Sequence, residues 1–143
     1  MNGYGKRVLV VDDDEQIRLL LCLLLEQDGY SVHMATGGTE ALDEMMKRRF
    51  DAILTDVEMP RTTGLEVLAF CRAIFPRVPV ILMSAISEEY RKPAARRGAW
   101  AYVEKPFTGD EVLRVLRAAC GTTTEEGAGA EQRQARSFLQ ASS

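Results

Sequence analysis

Four short apolar runs in this chain each end in polar residues, and no other feature constrains the fold as strongly. Val8-Leu9-Val10-Val11 runs into Asp12-Asp13, and Ala52-Ile53-Leu54-Thr55 stops at Asp56. Val80-Ile81-Leu82-Met83 stops at Ser84, and Tyr102-Val103-Glu104 leads into Lys105-Pro106. Near-continuous Val/Ile/Leu runs of this length suit parallel strands buried on both faces. In open parallel α/β sheets, ligands sit just beyond the carboxyl ends of the strands. If the four runs are neighbouring strands, one crevice gathers three carboxylates, a hydroxyl and an ammonium. That set suits a divalent cation and a phosphoryl group.

The rest of the chain keeps a strand–helix beat from residue 7 to 120. The first strand is Arg7–Val11. Glu15 to about Asp28 reads as a helix with Ile17, Leu20, Leu21 and Leu24 inward, and its apolar run Leu19–Leu25 reads as buried. Gly29 stops it. Ser31–Ala35 is a weaker second strand. After the Gly37-Gly38 turn, Thr39 is placed to cap a helix with Ala41, Leu42, Met45 and Met46 on its inner side. Strand three is Asp51–Thr55, and residues 58–63, with Pro60, form a loop. Gly64 opens a helix through Ile74, with Leu65, Leu68 and Cys71 spaced for burial, and Phe75-Pro76 breaks it.

Strand four is Val80–Met83. A helix starts near Glu88, with Pro93 expected to kink or delay it. Strand five is Ala99–Glu104, and a last helix follows Pro106 with Val112, Leu113, Leu116 and Ala119 inward. Five β-α units imply an α/β fold: a doubly wound parallel sheet with right-handed crossovers and helices on both faces. The expected organisation is an N-terminal extension (1–6), one domain (7–120) and a flexible C-terminal tail (121–143). The tail carries a short helical segment around Glu131–Leu139.

Composition narrows the function. With 143 residues, 46% of them hydrophobic, the chain buries one core and is short for two. A net charge of -3 and a pI near 5.3 argue against an electrostatic nucleic-acid binder. No apolar stretch approaches the ~20 residues of a membrane span. The start MNGYGKR has no apolar core of a signal peptide, so a cytoplasmic protein is expected. Cys22, Cys71 and Cys120 are odd in number and scattered, which reads as buried helix thiols. His33, the single histidine, reads as a surface or partly buried strand residue.

Three carboxylates in one pocket must take up a proton or hold a cation, because two charges ~4 Å apart repel by about 4 kcal/mol at an effective dielectric of 20. Oxygen-only ligands favour a hard ion such as Mg²⁺. Asp13 and Asp56 are the direct ligands expected, with Asp12 holding a metal-bound water and the backbone carbonyl of Glu58 completing the set. Asp56 stands alone at its strand end and fits a nucleophile that forms an aspartyl-phosphate. Lys105 offers a charge to one phosphoryl oxygen and Ser84 a hydroxyl to another. Pro106 restricts the backbone of Lys105.

VLVVDDDEQIR, DAILTDVEMP, VILMSA and AWAYVEKPF, in this order and spacing, resemble the receiver (response-regulator) domain of two-component signalling. The resemblance covers about Lys6 to Cys120. It implies a flavodoxin-like (βα)5 sheet in the order 2-1-3-4-5. It implies that Asp56 is phosphorylated by a sensor histidine kinase or a histidine phosphotransfer protein, and that Asp12 and Asp13 hold Mg²⁺. It further implies that Lys105 contacts the phosphate, and that Ser84 and Tyr102 are a switch pair. Switching alters the face of helix four, strand five and helix five for a downstream protein target. The expected molecule is a stand-alone binding switch rather than an enzyme, monomeric or dimerising on phosphorylation, with no nucleic-acid or membrane partner.

The chain departs from that pattern in places. Arg61 and Thr62-Thr63 replace the usual hydrophobic and acidic residues of their loop, and Glu58 puts a further acid beside the pocket. Trp100 stands where a polar residue is usual, either laid over neighbouring side chains or serving a partner contact. Two alternatives stay open. One is a Mg²⁺-dependent aspartyl-phosphate phosphohydrolase, suggested by Asp12-x-Asp14, though no cap-sized insertion accompanies it. The other is a degenerate receiver, which the retention of Asp12, Asp13, Asp56, Ser84 and Lys105 argues against.

Overall fold

In a computed structural model, residues 3–85 and 87–121 are described, with side chains outside 86–91. Strands β1 (Arg7–Val11), β2 (Ser31–Ala35), β3 (Ala52–Asp56), β4 (Val80–Ser84) and β5 (Ala101–Glu104) alternate with five helices. The helices are α1 (Glu15–Gln27), α2 (Gly38–Lys47), α3 (Gly64–Ile74), α4 (Ser87–Arg96) and α5 (Gly109–Ala119). The strands form one sheet in the order β2-β1-β3-β4-β5, every pair parallel. This is the flavodoxin-like topology expected. The tail beyond Gly121, with its expected helix at Glu131–Leu139, lies outside the described residues.

Alternation along the strands explains why the runs are apolar throughout. Leu9, Val11, Ile53 and Leu82 point to one face, where they pack with Ala41, Met45, Val67, Leu68, Cys71 and Ala94 of α2, α3 and α4. Val8, Val10, Leu54, Ile81 and Met83 point to the other, against Leu21 and Leu25 of α1 and Val112 and Leu116 of α5. Both sides of β3 and β4 are therefore buried. A one-residue register slip would exchange the two sets between different helices and is disfavoured.

The helix faces depart from the sequence reading at several points. Leu19, Leu20 and Leu23 are exposed, so the Leu19–Leu25 run is buried only in part, and the inward stripe of α1 is Ile17, Leu21, Leu24 and Leu25. Met46 of α2 also points out, at 67% exposure. Thr39 does not cap α2: Gly37 holds the cap position, with no side-chain hydrogen bond. Instead Thr36 donates to Glu40 at 2.8 Å, one turn on. Of the cysteines only Cys71 is fully buried. α4 runs from Ser87 through Pro93 to Arg96, so its start is not delayed. β5 begins at Ala101 rather than Ala99. Trp100 is partly buried against the α1–α5 side of the core, which is the covering role. His33 is partly buried in β2, edge-on to Phe50.

Candidate functional site

Because the strands are parallel, their carboxyl ends share one edge of the sheet. Asp12 follows β1, Asp56 ends β3, Ser84 ends β4 and Lys105 follows β5. The register sets Val11 beside Thr55, Asp56 beside Met83, and Ser84 beside Glu104. The expected crevice therefore forms. One oxygen each from Asp12, Asp13 and Asp56 lies within 4.8 Å of the others. Asp12 and Asp56 are buried while Asp13 is exposed, so the group is walled on one side and open on the other.

Lys105 is the only cation that an ion pair brings to these acids among the described residues. Its Nζ donates to Asp12 Oδ2 at 2.9 Å and lies 3.2 Å from Asp56 Oδ1. The proximity to Asp56 is one of charge, for Asp56 Oδ1 has no well-directed hydrogen bond although it is buried. Burial, then the charge of Asp12, pushes the Asp56 carboxyl up from its usual 3.8 to about 7, against the pull of Lys105. Burial alone would lower the pKa of Lys105, but the hydrogen bond to Asp12 and the charges of Asp56 and Asp12 outweigh it and raise it. A buried, orphaned carboxylate oxygen beside two more carboxylates is a donor set that fits a hard dication.

Neighbouring residues hold this geometry. Asp12 Oδ1 accepts from the amide of Asp14 at 2.9 Å, and Arg18 Nη1 donates to the Asp12 carbonyl at 2.7 Å. Asp14 caps α1 by accepting from the amides of Gln16 and Ile17. Sequence reasoning missed Arg18 and, although aspartates at strand ends can cap the helices that follow, did not single out Asp14. A capping residue ahead of an apolar helix was a visible signal for Asp14, whereas the reach of Arg18 across one turn and a half was not.

Gly64 was read only as a helix start, yet its placement is tighter than that. A Cβ there would stand 2.2 Å from the carbonyl oxygen of Asp56 and 2.8 Å from the Cα of Val57. Neither neighbour is a flexible side-chain tip, so Gly64→Ala must push the loop off the end of β3. It is expected to cost about 1–3 kcal/mol, as overpacking does. Thermal melts measure this, and an unchanged melt would show that the loop yields freely.

Glu58 and Ser84 also meet, a contact the sequence did not signal. Ser84 Oγ donates to Glu58 Oε1. The Glu58 carboxylate is outside the three-acid group, and its nearness adds a smaller upward push to the Asp56 pKa. Tyr102 is buried at 1% exposure, its ring within the α2–α4 side of the core. It lies on β5 two residues before Glu104, which stands beside Ser84. The two expected switch residues therefore occupy adjacent strands, with Tyr102 beside Leu82, two residues back from Ser84.

Comparison with known proteins points the same way. Residues 8–117 match the family model of the response regulator receiver domain. The response regulator MprA of Mycolicibacterium vanbaalenii is 42% identical over 127 residues, covering 86% of this chain and 54% of that protein. The chain thus spans about half the length of the curated relatives it matches. The structure of the response regulator TrrA from Thermotoga maritima, in complex with Mg²⁺ and BeF, superposes with a TM-score of 0.75 at 37% identity, covering 80% of this chain and 98% of that one. The receiver domain of a sensor histidine kinase from Pseudomonas aeruginosa PAO1, with magnesium coordinated in its active-site cleft, superposes with a TM-score of 0.76 at 29% identity, covering 82% and 99%.

Proposed function

Because this chain belongs to the response regulator receiver family, we propose that Asp56 accepts a phosphoryl group and that the modification switches a partner-binding face. The convergence of Asp12, Asp13, Asp56 and Lys105 at one strand edge carries this reading. The donor is a phosphohistidine on a sensor histidine kinase or phosphotransfer protein. An Asp56 carboxylate oxygen attacks phosphorus, the P–N bond breaks, and the imidazole leaves. Lys105 holds the acceptor carboxylate and meets the incoming phosphoryl charge. Asp12, Asp13 and Asp56, with the Glu58 carbonyl, would hold Mg²⁺, which when bound neutralises the acids and orients the phosphoryl group.

Ser84 then exchanges its bond to Glu58 for a phosphoryl oxygen, and the ring of Tyr102 follows the space so vacated. The face of α4, β5 and α5 changes with it and engages a downstream protein. A shift from 1:99 to 99:1 needs ~5.5 kcal/mol. A few charge-assisted hydrogen bonds at about 1.5–3 kcal/mol each supply it.

The test uses Mg²⁺ with a labelled phosphohistidine donor, and Mg²⁺ with beryllofluoride, following Trp100 fluorescence. The wild type takes label and its fluorescence changes, while Asp56→Asn does neither. Equal labelling of Asp56→Asn would overturn the proposal. Steady turnover of a chromogenic phosphate ester would favour a phosphohydrolase instead. Glu58, which puts a negative charge beside the acceptor, is expected to slow phosphoryl arrival. Glu58→Asn should therefore be phosphorylated about fivefold faster, the effect of removing about 1 kcal/mol of repulsion. Unchanged phosphorylation and dephosphorylation rates in Glu58→Asn would exclude that role.

A further inference from the structure

At the end of the sheet away from Asp56, the carboxyl ends of α2 and α3 border a cavity of about 720 Å³. Phe50, Ile53 and Phe75 line its inner part, and all three pack in or against the core. Met46 and Ile74 flank its mouth, exposed at 67% and 52%. Two large apolar side chains held in water beside an apolar floor are poorly placed unless something covers them. The volume falls within the roughly 300–1,000 Å³ of small-molecule sites.

The rim sets the charge of the occupant. Lys47, Arg49 and Arg77 border the cavity, and none of the three forms an ion pair among the described residues. Two of the acids nearby are already engaged. Glu44 is held by Arg48 at 3.2 Å, and Asp51 accepts from the amide of Arg7 at 2.7 Å. The helix carboxyl ends here carry partial negative charge, which Lys47 and Arg72 in the last turns offset. Three unpaired cations around an apolar hollow complement an anion with an apolar body.

We propose that this cavity binds a small amphipathic organic anion, an aromatic or aliphatic body bearing a carboxylate or sulfonate. The apolar body lies on Phe50 and Phe75 between Met46 and Ile74, and the anionic group meets Lys47, Arg49 and Arg77. A peptide helix is the less suitable occupant, because the apolar surface is gathered in one hollow rather than drawn out along a groove. The site lies at the opposite strand ends from Asp56 and does not depend on phosphorylation.

The probe is 8-anilinonaphthalene-1-sulfonate, titrated into the folded chain and into Asp56→Asn, with decanoate as competitor. Saturable one-to-one binding to both, displaced by decanoate, is expected. The exposed-site variant Ile74→Glu, checked for an unchanged thermal melt, should abolish it. Arg49→Glu/Arg77→Glu should weaken it about tenfold or more, and the uncharged analogue 1-anilinonaphthalene should bind about tenfold more weakly. Equal binding of the uncharged analogue, retention of the probe by both variants, or no saturable binding would overturn the proposal. Displacement by an acidic helical peptide but not by decanoate would overturn it in favour of a protein partner.

Discussion

Replacing Lys105 with methionine is expected to destabilise the protein by about 3–5 kcal/mol near neutral pH in the absence of Mg²⁺, the usual cost of stripping one partner from a buried ion pair. Methionine keeps most of the volume of the lysine stem, so little of the loss comes from a cavity. What remains is Asp12 at 0% exposure and Asp56 at 4%, with no cation beside them. In a domain of this size the melting temperature should fall on the order of 10–20 °C.

The pH dependence separates this cause from a packing defect. The Lys105 pKa is raised in the fold, so its stabilising contribution is complete below the ordinary lysine value. It is lost only as pH rises through the higher folded value. Across the neutral range the lysine is therefore charged, and the variant's deficit reflects the acids. Lowering the pH through the raised Asp56 value of about 7 neutralises that carboxyl and should close much of the gap to wild type, as should millimolar Mg²⁺ acting on the folded state. A melt of Lys105→Met that matches wild type at pH 7.5 without Mg²⁺ would show that Lys105 does not compensate the carboxylates.

The strand ends were legible because β1, β3 and β4 are buried on both faces, which leaves a run of apolar residues with an abrupt polar stop. That stop marks the edge where Asp12, Asp56 and Ser84 meet, so most of the site could be read from the chain. Helix faces were harder. In α1, Leu19-Leu20-Leu21 and Leu23-Leu24-Leu25 leave too little contrast for a 3.6-residue period to register, and Leu20 was assigned inward although it is 58% exposed. Contacts across loops were illegible. The hydrogen bond between Ser84 and Glu58, 26 residues apart, and the clash that reserves position 64 for glycine depend on tertiary placement that no local pattern encodes.

Asp56→Asn is expected to stabilise the protein without Mg²⁺ by about 2–4 kcal/mol above neutral pH, even as it removes the phosphoryl acceptor. The pKa of Asp56 rises from 3.8 to about 7 on folding, through burial and the charge of Asp12. The folded state thus favours the protonated carboxyl. Stability that is complete below about pH 4 is lost as pH climbs to about 7 and stays lost above it. Asparagine is the neutral isostere of that protonated acid and escapes the loss. The stability difference between variant and wild type should therefore be small near pH 4, grow through pH 5–7 and level off by pH 8. Mg²⁺ should reverse the trend, because it stabilises a wild-type site with three carboxylates more than a variant with two. Denaturant unfolding across pH 4–8, with and without Mg²⁺, measures both effects. A variant less stable than wild type at pH 8 without Mg²⁺ would mean that the fold stabilises the Asp56 charge by itself, and a cation would then not be needed to hold the pocket together.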